Sequence, residues 1–191
     1  MDEGKSIEII RKMILHSKQN LKDQLPFYLW WGWVIFLGAI ANFVMLLQDI
    51  SIHYLVWPIA FVAGIIGSIV LGLRSRRKVR TVTFIDRAMG FLWSGWIAFL
   101  FLVLACAYMG FFSWSLTCAV IIGLHGLGTF VSGGILRFQP LVIGGIISFV
   151  ISLVCIIFRF SVDIHFDIML IALALSILIS YLIPGYLLRK A

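Results

Sequence analysis

Six stretches of this chain carry no Asp, Glu, Lys or Arg: residues 25–47, 54–73, 89–108, 112–136, 141–158 and 168–188. The charged residues gather in the intervals between them. Inside each stretch the apolar residues run on continuously. A strand with one wet face would alternate instead, so the pattern predicts helices. Each stretch has about 18 to 25 residues, which at a rise of 1.5 Å per residue crosses a hydrocarbon core of about 30 Å. Backbone placed in lipid must satisfy its own hydrogen bonds, which leaves helices or a closed barrel. The predicted fold is all-α: a polytopic bundle of six transmembrane helices over residues 25–191.

Residues 2–24 show a different period. Ile7, Ile10, Ile14 and Leu21 recur at roughly helical spacing with Met13 beside them, and Lys5, Glu8, Arg11, Lys12, Lys18 and Lys22 fill much of the remainder. This predicts an amphipathic helix lying on the inner leaflet, its basic groups toward anionic headgroups. Docking of a soluble partner is the other use of such a face. A cleaved signal is not expected, because the first apolar run starts late, is too long and lacks a small-x-small site.

Small residues give the helices faces. Ala60, Gly64, Ser68 and Gly72 repeat every fourth position in the second stretch, and Gly144, Ser148 and Ser152 do so in the fifth. Small-xxx-small ladders let helices approach where lipid offers no hydrophobic drive, so both are read as packing faces. Residues 123–146 hold seven of the seventeen glycines and are read as the end of the fourth helix, a turn at 137–140 and the start of the fifth. Pro184 predicts a kink near Ser180 in the sixth helix. Phe27, Tyr28, Trp30, Trp31 and Trp33 open the first helix behind Pro26, a tolerated first-turn position, and are expected to form an interfacial aromatic belt. Trp30, Gly32, Trp33, Phe36 and Leu37 recur as Trp93, Gly95, Trp96, Phe99 and Leu100, at an offset of 63. The first two helical hairpins therefore look like parallel copies.

Composition agrees with the bilayer: 62% of the chain is hydrophobic and 12% charged, against roughly a quarter charged in soluble domains. The net charge of +7 reads as topology. Fourteen of the fifteen Lys and Arg fall before the first stretch, between the second and third, between the fourth and fifth, or after the sixth; Arg159 alone lies on the other side. By the positive-inside rule both termini are cytoplasmic, in the inner membrane. Arg74, Arg76, Arg77, Lys78 and Arg80 form the densest run, a topology-setting loop with anionic lipid as its partner. No basic-aromatic groove accompanies the charge, so nucleic acid is not an expected partner.

The chemistry is sparse. Cys106, Cys118 and Cys155 have neither disulfide-framework nor metal-ligand spacing. Asp163, His165 and Asp167 alternate in an outer loop, a weak metal signal read as solvated. No metal and no cofactor is expected. His125 stands alone among the six stretches, with Thr129 one turn on and Ser132 continuing its face. Asn42, on a face with Gly38, is a further polar candidate, and these four make the candidate functional face. Without a second His or a carboxylate at that depth, a metal site or proton relay lacks its other members. His125 is therefore expected to be a buried neutral imidazole with a hydrogen-bond partner, Thr129 being the local candidate. Catalytic residues are not legible: there is no HExxH, no GxSxG and no paired carboxylate in a span.

The start IIRKMI, the entry LWWGW, the stretch GLGTFVSGGILRFQPLVIGG and the close YLIPGYLLRK together resemble an uncharacterised family of small, six-helix bacterial integral membrane proteins. The resemblance covers most of the chain and implies fold and location; it brings no activity and marks no catalytic residue. Two functional classes stand. One is a non-enzymatic membrane component, regulatory, sensory or an assembly subunit, with a homo-oligomer or a membrane partner as its context. The alternative is a small-solute transporter or channel using the His125/Thr129 face.

Overall fold

The computed structural model describes the backbone of residues 3–75, 84–161 and 166–190, and the side chains of 25–74, 84–158 and 166–187. Arg76, Arg77, Lys78, Arg80, Asp163 and His165 lie outside the described residues, as do the side chains of the basic N-terminal segment.

The fold is an all-α membrane bundle, and the protein is a multi-pass membrane protein. Its helices are α1 (Glu3–Leu47), α2 (Val56–Ser75), α3 (Phe84–Tyr108), α4 (Trp114–Leu136), α5 (Gln139–Ser161), α6 (Phe166–Ile177) and α7 (Ile183–Lys190). A five-residue turn of 3-10 helix, Ser51–Leu55, precedes α2, and a π-helical segment, Leu178–Leu182, joins α6 to α7. Six segments are long and apolar enough to cross a membrane, the sixth running from Phe166 to Leu187 through the π segment.

α1 is longer than expected. It runs unbroken from Glu3, so Pro26 sits inside a helix and not in its first turn. Between Gly4 and Pro26 the sequence offers no helix breaker, and one proline deletes one backbone bond while leaving the other ties in place.

The bundle is built around α4. Just over half of its most apolar stretch (56%) is buried among other helices, against 6% for the second span and 11% for α3. The most extensive contact in the molecule joins α4 to α5. α6 and the π segment close a four-helix centre with α1, while α2 packs on α1 and α3 packs on α4. α2 and α3 are therefore outer helices, and most of their large apolar side chains face outward.

Glycine explains the α4–α5 contact. A Cβ added at Gly126 would stand 3.0 Å from the Gly145 carbonyl oxygen, and one added at Gly133 would stand 2.7 Å from the Val142 nitrogen. The two backbones touch with no side chain between them. The connecting turn is equally tight. Arg137 adopts the left-handed conformation (φ 54°, ψ 40°). Its N–H donates to Gly134 O and that of Phe138 donates to Gly133 O, the paired bonds of a Schellman close. At the far end of α4, Ser113 accepts from Leu116 N and caps the first turn.

The ladder on α2 meets α1. Ala60 lies against Gly38, a Cβ at Gly64 would press on the Trp31 ring, and Trp31 Nε1 donates to Ser68 Oγ at 2.9 Å. Gly72 is different: a Cβ there meets nothing within 4 Å. Gly67, the residue before Ser68, lies under the Trp30 indole, so the contact with α1 runs over Ala60, Gly64, Gly67 and Ser68 and does not continue to Gly72. On α5, Gly144 faces the π segment at Ser180, Ser148 accepts from Ser176 Oγ at 2.8 Å, and Ser152 donates to Ala119 O on α4 at 2.8 Å.

The expected aromatic belt is largely an interhelical fastening. Tyr28 is buried, Trp30 Nε1 donates to Gly64 O, Trp31 to Ser68, and Trp33 to the Tyr186 hydroxyl. An indole N–H in apolar surroundings needs an acceptor, and neighbouring helices supply it. The two hairpins share this device in different registers. Trp96, the counterpart of Trp33, ties α3 to Leu124 O of α4, whereas in the first hairpin Trp30 and Trp31 make the tie to α2.

Candidate functional site

The polar residues at depth form two separate groups. Asn42 is 1% exposed, and its Oδ1 lies 3.2 Å from His53 Nδ1, in the 3-10 turn beyond the end of α1. It sits fourteen residues along α1 from Tyr28, about 21 Å of helix. His125 belongs with Tyr28 at the other end, so Asn42 does not share its face. Local sequence makes the Asn42 contact: the chain turns back at Asp49, and eleven residues after the buried amide an imidazole folds over it.

His125, Thr129 and Ser132 do share a face, and all three are buried (2%, 0% and 0% exposed). Their hydrogen bonding differs from the expectation. Thr129 Oγ1 donates backward to the His125 and Gly126 carbonyls, both at 3.0 Å, the usual local bond of a threonine in a helix. It does not reach the imidazole. Among the described residues neither His125 Nδ1 nor Nε2 has a hydrogen-bond partner, and the same holds for Ser132 Oγ and Tyr28 Oη. The expected partner of His125 is thus not found, because the Thr129 hydroxyl is spent on its own helix.

What surrounds His125 is aromatic. The Trp96 ring lies 4.8 Å away by centroid, tilted by 36°, and the Tyr181 ring 5.8 Å away, tilted by 38°. Tyr181 also meets Tyr28 at 5.5 Å and Trp93 at 6.3 Å, and Tyr28 meets Trp93 edge-on at 6.1 Å. The Tyr28 hydroxyl faces Ser132 and the Trp93 indole without closing a hydrogen bond to either. Four buried polar atoms without partners therefore share one aromatic cluster, assembled by α1, α3, α4 and the π segment.

Backbone irregularity brings Tyr181 there. Pro184 has no N–H to return to the Ser180 carbonyl, and the chain widens to π geometry just before it, with Ile183 N–H reaching back to Leu178 O. Ser180 Oγ turns to Ser176 O at 2.7 Å. Gly144 lets α5 lie directly on this segment, where an added Cβ would stand 2.7 Å from Ser180 Cα.

Of the candidates named from sequence, His125 and Ser132 enter the cluster, Thr129 stands behind it and Asn42 lies elsewhere. Tyr28, Trp93, Trp96 and Tyr181 were not among them. Tyr28 sits in the run read as an interfacial belt, Trp93 and Trp96 sit in its repeat on the third helix, and Tyr181 carries no local signature beyond its place three residues before Pro184. Cys118 donates to Met169 O at 3.5 Å and lies outside the cluster. No group of three or more His, Cys, Asp or Glu able to hold a metal occurs among the described residues. Arg74 lies exposed in the last turn of α2.

No family model matches the chain, and comparison with curated proteins and with solved structures finds no match.

Proposed function

We propose that this protein is a non-enzymatic component of a bacterial inner membrane, a sensory, regulatory or assembly subunit with both termini in the cytoplasm. The observation that carries the reading is the closure of its polar core. His125 is 2% exposed and packed against the Trp96 and Tyr181 rings, where a transport pathway needs a wet, side-open groove. Four other hydroxyls near the centre are used within the bundle: Ser152 bonds to α4 and Ser176 to α5, while Thr129 and Ser180 bond within their own helices. No carboxylate lies in any of the six charge-free stretches to couple an ion gradient. The outward apolar faces of α2 and α3 suit lipid or a membrane partner, and Arg74 with the basic residues after it suits anionic headgroups.

Two measurements test this. Ser132→Cys places a thiol in the buried centre with little change of volume. In sealed vesicles it should resist a membrane-impermeant thiosulfonate from both sides, above the background of the native cysteines. Rapid modification from one side would put transport through the His125/Thr129 face first. Orientation is checked by reporter fusions after Gln48, Lys78, Gly110, Arg137, Asp163 and Ala191, expected to read out, in, out, in, out, in. A cytoplasmic signal at Asp163 would break the six-span topology.

A further inference from the structure

We propose that the cluster of Tyr28, Trp93, Trp96, His125, Ser132 and Tyr181 binds the ring of a neutral, lipid-borne quinone. The inference rests on the sensory form of the function proposed above and names its ligand.

The argument starts from the orphaned atoms. A neutral imidazole brings one donor and one acceptor, and the Tyr28 and Ser132 hydroxyls each bring a donor. All are buried in the bundle, and none has a partner among the described residues. A buried polar group left unpaired is costly, and several in one place are a liability to a core that has no other use for them. An apolar residue at each position would remove that cost.

The chemistry of the site then narrows the ligand. Its hydrogen-bonding side chains are donor-rich and uncharged, and the Trp93 indole N–H faces the same hydroxyl of Tyr28. Donors converging without a cation fit carbonyl oxygens better than a carboxylate or phosphate, whose charge would arrive uncompensated at depth. A quaternary ammonium suits aromatic rings but leaves the imidazole nitrogens and hydroxyls unpaired. The walls are flat π-faces: the Trp96 and Tyr181 rings both lie against the imidazole, and Trp93 meets each of them. Flat walls, carbonyl-seeking donors and a bilayer location together describe a quinone ring.

The structure also offers a way in. Trp93 and Trp96 are half-buried, so they stand between the orphaned atoms and the outside. They belong to α3, an outer helix that packs on α4 alone among its extensive contacts. Trp96 is pinned by its bond to Leu124 O. Trp93 rests on the bare backbone of Gly128, where even a Cβ would come within 3.2 Å of the indole. Trp93, which meets Tyr28, Trp96 and Tyr181, is the ring that a ligand arriving from lipid would displace to reach the Tyr28 hydroxyl. Entry along this route is from lipid and needs no aqueous opening, consistent with a closed polar core.

The test uses the full-length protein in nanodiscs and decylubiquinone as probe, titrated calorimetrically against empty nanodiscs. Saturable heat above the empty-disc background is expected. Tyr28→Phe and Ser132→Ala each delete one hydroxyl with little change of shape, and each should weaken binding about tenfold, the loss of one hydrogen bond of about 1.4 kcal/mol. Trp57→Phe, remote from the cluster, should bind as the wild type does. Should either hydroxyl variant fail to yield folded protein, the other carries the test. Absence of saturable binding by the wild type, or unchanged affinity in the hydroxyl variants, overturns the proposal. Either result leaves the thiol-protection test of the closed core standing, so the two readings fail separately.

Discussion

Gly145→Val is expected to prevent recovery of a folded bundle, and Gly145→Ala to lower its thermal stability in detergent. The reason lies in what surrounds the missing side chain. A Cβ at this position would stand 2.6 Å from the Phe130 nitrogen, 2.7 Å from Phe130 Cβ and 2.8 Å from the Gly126 carbonyl oxygen. These are mainly backbone atoms of α4, so relief requires α4 and α5 to move apart along the most extensive contact of the molecule. Overpacking of a fitted core costs about 1–3 kcal/mol per insertion, and the two further methyls of valine add to the clash. Helix propensity works the other way, since alanine is preferred over glycine by about 0.8–1.0 kcal/mol in a helix interior. Gly95 isolates that term, because a Cβ there meets nothing within 4 Å. Gly95→Ala should therefore hold or raise the melting temperature while Gly145→Ala lowers it. Parallel shifts for the two alanine variants in a detergent melting series would refute the backbone-contact account.

These two glycines show where sequence stops informing. That both lie in spanning helices was legible, because the bilayer imposes length and apolarity on every segment that crosses it. That glycine and serine ladders favour packing was legible too, and Gly64, Ser68, Gly144, Ser148 and Ser152 do lie at helix contacts. Which glycine meets another backbone was not legible. It depends on where two helices cross, and a four-residue period continues past the crossing as it does from Ser68 to Gly72. The inward aromatics were missed for a related reason. Tyr28 sits in the run read as an interfacial belt and Trp93 and Trp96 in its repeat, and only the rotation of α1 and α3 turns them inward. The π segment was half legible: Pro184 announces a break in hydrogen bonding near Ser180, but whether a helix answers by kinking or widening is settled by what packs there, and Gly144 of α5 packs there. The His53 contact to Asn42 needed the path of the loop, which the sequence does not state.

His125→Leu is expected to stabilise the apoprotein by about 1 kcal/mol, with His125→Gln no better than the wild type. A hydrogen-bonded histidine predicts the reverse order, since glutamine preserves part of a hydrogen bond that leucine discards. The structure removes the premise, because both ring nitrogens lack partners and Thr129 donates to the main chain. A buried polar atom without a partner costs about 1–3 kcal/mol, so the two ring nitrogens cost about 2–6 kcal/mol together. Leucine removes that cost at similar volume. It gives up two ring contacts, with Trp96 at 4.8 Å and Tyr181 at 5.8 Å, worth about 0.5–1.5 kcal/mol each, or about 1–3 kcal/mol together. At the lower ends of these ranges the difference favours leucine by about 1 kcal/mol. Glutamine keeps unpaired polar atoms, loses the rings as well, and adds a flexible side chain to order. Chemical or thermal unfolding of the three proteins in one detergent, without added lipid or quinone, gives the comparison. A melting temperature for His125→Leu well below that of the wild type, with His125→Gln between them, would mean that the imidazole is held by a hydrogen bond after all. A more stable leucine variant that also fails to bind decylubiquinone would mark His125 as a residue kept at a cost in stability for its ligand.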